Sequence, residues 1–575
     1  MRNAKIKRID RLFAFLALAC LPLAGCQKGD EFSSDSASLS TSADGSQETS
    51  SVSSPTADGF VIGINEDGGL RIDGYKGKKI NVIIPNSIEG IEVVTIGAYA
   101  FAENDTIRSV TIPSSIVTIR ESAFMHCKSL TTVTFSEGSS LTTVERAAFR
   151  DCTLLTTIKL PYGTKKIGES AFYNCSSLAS FVIPNSVTGI YTSAFERCRS
   201  LTEIQIPGGV DVIPTSCFAS CLSLSRVDLN KVTLIHHHAF EYCSSLTKID
   251  IPQSVYSIGS EAFAFSALKS IDIPDSVTLI GNGAFGNCTS LESVDYSSGL
   301  TQVETSLFNY CTALKSFVIP EGVTTVQNNA FRDCHSLASV TFPNSLVEIH
   351  AQAFQGCDSL TSISIPGDFR YIYYYAFCGC SSLVSIDIPN ATRPVIYEHA
   401  FDGCSSLTMI NIPSLKDADD WVFANCTSLT SVVFSDTSIP GHAFDGCTSL
   451  SSVALPVGTT YIGSYAFSGC VALTSLEIPS PSRIGYVSEG VFKGCVTLTW
   501  VKLPKTVQYI ESFAFDGCSS FASLFFEGTS EDWENVTIHE NNDGLSNATI
   551  YFFSETEPSE PGNYWHYVEG VPTRW

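Results

Sequence analysis

Cysteine is the reactive side chain whose spacing stands out most in this sequence. The chain has 21, and seventeen of them stand three residues after a phenylalanine, from Cys127 to Cys518. In an exported protein so many thiols ordinarily imply a disulfide framework. The spacing argues against one. A column with one member per repeat sets neighbours about 5 Å apart with parallel Cβ vectors, whereas a bridge needs facing ones. Zinc wants four convergent ligands from paired motifs, so the column is not a metal ladder either. It reads as small buried side chains. Cys217 and Cys378 lie off the column.

Three other groups could do chemistry. Asp228, Asp250, Asp272 and Asp295 recur at repeat spacing, with Arg226 and Lys248 two residues before the first two. Stacked about 5 Å apart, they would form an acidic strip for a basic ligand or a solvated face that keeps the protein soluble. A one-dimensional column does not surround a calcium ion. His236, His237 and His238 are consecutive, so their side chains diverge, and no metal or other cofactor is expected. Tyr373 and Tyr374, with Arg370, Tyr371 and Tyr375 around them, could stack on sugar rings or peptides. No nucleophile elbow, zinc-protease pair or phosphate-cradling glycine loop is present. No catalytic residue is assigned, and an enzyme is not expected.

The elements that must position these residues repeat about every 23 residues. Nineteen phenylalanines mark the period, from Phe101 to Phe515. The unit between Phe240 and Phe263 is representative. Leu246-Thr-Lys-Ile249-Asp-Ile251 alternates at its end, which suits a short strand with one buried face. Pro252 lacks an N–H and stops the ladder; fourteen repeats carry proline here, from Pro113 to Pro504. Val255 and Ile258 return to the core, and Ala262-Phe263 sets a small side chain beside a large one. A fixed period of this length means stacked units and a long surface.

The pattern F-x-x-C-x-S-L-T-x-I-x-I-P-x-x-V-x-x-I-G-x-x-A-F, well seen in Phe172–Phe195 and Phe331–Phe354, resembles the BspA-like leucine-rich repeat. The resemblance covers roughly residues 80 to 526. It implies a leucine-rich-repeat solenoid with a curved parallel sheet on the concave face, and turns with short 3-10 pieces on the convex face. It also implies a bacterial surface protein engaged in adhesion. In such a repeat, the two x positions of the strand would face the concave side. The first is mostly serine, from Ser270 to Ser475; the second holds the four aspartates.

The ends read differently. Lys5, Lys7, Arg8 and Arg11 precede an apolar run, Leu12 to Leu21, too short to span a bilayer. Leu23-Ala24-Gly25-Cys26 resembles a bacterial lipobox, which implies cleavage before Cys26 and lipidation of its sulfur. Residues 1–25 are thus a signal peptide, and 26–57 a lipidated cysteine and serine-rich linker. A cap and first repeat span 58–100, the array 101–520, and a cap with an aromatic tail 521–575. A formal net charge of −24 excludes nucleic acid as a general partner. The expectation is a monomeric protein, lipid-anchored on the extracellular face of the bacterial membrane. It would bind a host or neighbouring-cell protein, with polysaccharide binding or a cell-wall structural role as the alternative.

Overall fold

The computed structural model describes residues 55–388, 394–412, 417–433 and 436–575. Those residues form a β-solenoid of stacked parallel strands. Each repeat adds one layer with three sides. On the first side a three-residue strand such as Ser270–Asp272 pairs in parallel with Ser293–Asp295 of the next repeat. Its middle residue, Ile271, is buried, while its neighbours face solvent. The strand's period of two therefore survives even in three residues.

A second parallel ladder was not legible in the sequence. Leu234–Ile235, Ser257–Ile258 and Leu279–Ile280 pair in succession, and equivalent two-residue strands recur through the array. Two residues are too few to show alternation, so the segment reads as a turn. The proline turn before it is tight: the Val277 N–H donates to the Pro274 carbonyl at 2.9 Å.

The third side is a run of turns around each phenylalanine, with no 3-10 helix among the described residues. Its backbone alternates between left- and right-handed conformations. His238 and Tyr242, two residues either side of Phe240, have φ of 56° and 58°. This alternation aims every second N–H along the stack. His238, Phe240 and Tyr242 donate to Ser260, Ala262 and Ala264 of the next repeat at 2.8–2.9 Å. Each non-glycine residue in this conformation costs about 1 kcal/mol. Later repeats relieve the strain with glycine, as at Gly356 (φ 71°).

Inside these sides runs a continuous aromatic spine. Consecutive phenylalanines from Phe101 to Phe515 have ring centroids 4.8–6.3 Å apart. The cysteine column is buried and unbridged. Its choice of residue has a reason beyond size. Each of the seventeen Sγ–H groups points at the carbonyl of the preceding repeat's phenylalanine, at 3.0–3.5 Å. Alanine would fill the space but leave that buried acceptor without its thiol donor. Burial also pushes the thiols up, to about 12 at Cys243, so they are held as neutral S–H donors.

Antiparallel hairpins close both ends: Phe60–Ile64 with Leu70–Tyr75, and Tyr564–Val568 with Val571–Arg574. In the second, Trp565 is fully buried and its Nε1–H donates to the Phe526 carbonyl at 2.9 Å. Open ladder ends are thereby covered.

Two outcomes follow from the spine. Phe285→Ala removes a ring stacked on both sides and should cost about 3–5 kcal/mol in denaturant unfolding, with Phe285→Leu costing less. In the native protein, iodoacetamide should modify Cys378, which is partly exposed, well before any column cysteine. Mass mapping showing column thiols labelled as fast as Cys378 contradicts the packing described.

Candidate functional site

The first-side strands project two side chains each away from the core, most of them exposed, so their ladder is a strip two side chains wide. Arg226, Asp228, Lys248, Asp250, Asp272 and Asp295 are all exposed on it. The register brings some of them together. Asp272 and Asp295 are direct ladder partners, as are Ser270 and Ser293 beside them. Lys248 Nζ lies 2.9 Å from Asp250, a pair open enough to water to contribute little to stability.

Asp228 is held more firmly. One carboxylate oxygen accepts from Gln205 Nε2 at 3.2 Å and the other from the Asn230 N–H at 3.0 Å. No ladder pairing joins Arg226–Asp228 to Lys248–Asp250, or Lys248–Asp250 to Ser270–Asp272, among the described residues. The ladder opens at this point, as it also does between Ser293–Asp295 and Ser316–Val318 and between Ser339–Thr341 and Ser362–Ser364. Between Arg226–Asp228 and Lys248–Asp250 lies a groove of about 490 Å³, lined by Ser225–Asn230 and Lys248–Pro252. A second groove of about 420 Å³ lies beyond Arg226 and Asp228, towards Phe181–Asn185. Arg226 and Asp228 form the wall between the two. The sequence supplies the charges but not the openings, because the strand pattern continues through them unchanged.

Tyr373 and Tyr374 differ in their surroundings. Tyr373 lies between His350 and Tyr397, at 4.6 and 4.9 Å between centroids, and is nearly parallel to Tyr397. Both its faces are therefore occupied. Burial pushes its phenol up, with the Glu348 charge adding to the effect. Tyr374 is 42% exposed and tilts against Tyr397 at 4.9 Å. Cys26 lies outside the described residues.

Two aromatic features escaped the sequence reading. Tyr375, His399, Trp421, His442 and Tyr465 each stand two residues before a spine phenylalanine, and they stack in succession at 3.6–5.4 Å. His399 and His442 also hold Asp402 and Asp445 at 2.9 Å. The signal was present as a fixed offset from each phenylalanine. On the second ladder, Tyr461, Tyr486 and Tyr509 are exposed in successive layers.

Near the carboxyl terminus the tail covers the strip. Lys502, at the facing position of its strand, is fully buried. Its Nζ reaches Glu527 at 2.7 Å and Glu477 at 3.3 Å. The Tyr567 hydroxyl donates to Glu477 at 3.2 Å. The open part of the strip thus ends before Lys502.

No helix among the described residues is long and apolar enough to cross a membrane. No match is found among curated proteins. Among solved structures, the chain is similar to a leucine-rich repeat protein from Bacteroides ovatus, with 22% identity over 86% of this chain and 99% of that one, and a TM-score of 0.41. It is also similar to the Treponema pallidum leucine-rich repeat protein, with 32% identity over 34% of this chain and 91% of that one, and a TM-score of 0.32. A leucine-rich cell surface protein from Faecalibacterium prausnitzii shows 24% identity over 84% of this chain and 98% of that one, with a TM-score of 0.33. The BspA-type leucine-rich repeat model matches residues 94–225, 211–338, 324–438 and 416–544. With the repeat visible in both sequence and layers, the chain belongs to the BspA-type leucine-rich repeat family.

Proposed function

We propose that this protein is a non-enzymatic surface protein that binds a macromolecular partner, foremost a protein of a host or neighbouring cell, along the first-side strip. The observation that carries the reading is the pair of charged grooves at Arg226–Asp250, one of several places where the ladder is interrupted. Two open grooves flank a wall carrying the opposite charges of Arg226 and Asp228, and among the described residues the backbone N–H groups of Lys248–Ile251 find no backbone acceptor there. A protein ligand can offer both carbonyl acceptors and charged side chains to such a face. Binding would be spread over several layers, with hydroxyls from the serine column adding weak contacts. Anchoring through a lipid on Cys26 would hold the solenoid outside the cell membrane.

Polysaccharide binding is the second reading. It draws on exposed Tyr461, Tyr486 and Tyr509 rather than on Tyr373, whose faces are covered.

An array of extracellular-matrix proteins and glycans probed with the full chain tests both. The protein reading predicts a saturable protein hit that weakens as salt rises. The variant with Asp228, Asp250, Asp272 and Asp295 all changed to Asn should lose about tenfold or more in affinity for a basic ligand, since close charge pairs at interfaces contribute upwards of about 1.5 kcal/mol. A glycan hit that is insensitive to salt and abolished by Tyr486→Ala supports the second reading and overturns the first. Absence of any saturable hit overturns both.

A further inference from the structure

We propose that His238, Glu241 and Glu261 form a binding site for a divalent transition-metal ion of the zinc type, stapling two consecutive turns. His238 precedes Phe240 by two residues, Glu241 follows it, and Glu261 occupies the position of His238 one layer later. Their backbones are fixed before any ligand arrives. His238 N–H donates to Ser260 at 2.9 Å, Glu261 N–H to Asn282 at 3.0 Å and Glu241 N–H to His238 at 3.2 Å. His238 and Glu261 share the left-handed conformation, with φ of 56° and 54°.

The donor atoms converge. His238 Nδ1 lies 3.0 Å from Glu241 Oε2 and 3.7 Å from Glu261 Oε2, and all three atoms lie within 4.8 Å of one another. Ligands about 2.0–2.2 Å from a tetrahedral ion are separated by about 3.3–3.5 Å, so small side-chain rotations close the site. One imidazole nitrogen with two carboxylate oxygens suits zinc or its neighbours; calcium and magnesium favour oxygen alone. A fourth position stays open to water.

Comparison with the equivalent layers isolates this site. His399 and His442 also hold an acid three residues on, at 2.9 Å. In both, the next layer supplies an aromatic ring, Trp421 or Tyr465, that stacks on the imidazole. Those histidines have a packing role. At His238 the next layer instead supplies a second carboxylate, and no ring stacks on the imidazole. Two carboxylates beside one imidazole call for a cation between them. Burial raises the Glu241 carboxyl above its usual range; His238 opposes this, and the Glu261 charge adds to it. His237 is already committed, its Nδ1 accepting from the Ser260 N–H at 2.9 Å, so the three consecutive histidines contribute one ligand.

A protonated His238 would satisfy the same two carboxylates without metal, and titration calorimetry separates the cases. Zinc chloride titrated into the full chain at neutral pH should show a saturable component of one ion per chain, with calcium chloride showing none at that site. Glu261→Gln and His238→Asn should each weaken the component at least about tenfold, while His399→Asn leaves it intact. Circular dichroism checks that the variants stay folded, which the exposure of Glu261 favours. Zinc should also raise the melting temperature of the parent chain and not of Glu261→Gln. A zinc component unchanged in both variants, or no saturable zinc binding, overturns the proposal.

Discussion

The structure depends on the contact between one layer's cysteine and the preceding layer's phenylalanine. The thiol donates to a buried backbone carbonyl, and the rings stack directly beside it. Each layer also sends three N–H groups from the same turn to the next layer. These interactions are local to one side, yet they set the rotation and rise along the stack; where Ser266 replaces the cysteine, the N–H groups of His238, Phe240 and Tyr242 still join the layers. Strands of two or three residues could not hold a register alone, because each offers too few ladder bonds against the entropy of ordering its chain. The turns provide the register, and the strands inherit it.

That division of labour explains where binding can evolve. The spine side tolerates little change, since its residues are buried or held in left-handed conformations. The strand side presents two exposed positions per layer that the register holds in columns but does not constrain in type. Serine, aspartate, valine and lysine all occur there. The ladder can even open, as it does between Asp228 and Asp250, because the turns keep the layers aligned across the gap. An opening that would endanger an ordinary sheet is here a local feature of one face.

Much of this was legible from residue types and spacing. Phe240, Cys243 and Phe263 announce the layer, and Leu268–Ile273 announces a first strand, formed at Ser270–Asp272; Leu246–Ile251 carries the same alternation before Pro252 but forms no strand. Ser257–Ile258 did not announce a second ladder, because a two-residue strand has no alternation to read. The alternating backbone around Phe240 was equally silent, since serine, histidine, glutamate and tyrosine occupy left-handed positions that glycine would have flagged. The six charged candidates on the strip stand exposed where the strand pattern placed them, but the grooves beside them depend on missing ladder bonds rather than on residue type. Tyr373 was visible as an aromatic and invisible as a covered one. His399, Trp421 and His442 form a stack only once their common offset from the spine is noticed.

Native-state hydrogen exchange tests most directly whether the turns set the register. If they do, the amides of Phe263, Phe285 and Phe308 exchange more slowly than those of Lys248–Ile251, which face the opened ladder, and also more slowly than the strand amides of Ser293–Asp295. Equal or faster exchange at the phenylalanine amides would contradict the account and transfer the organising role to the strands.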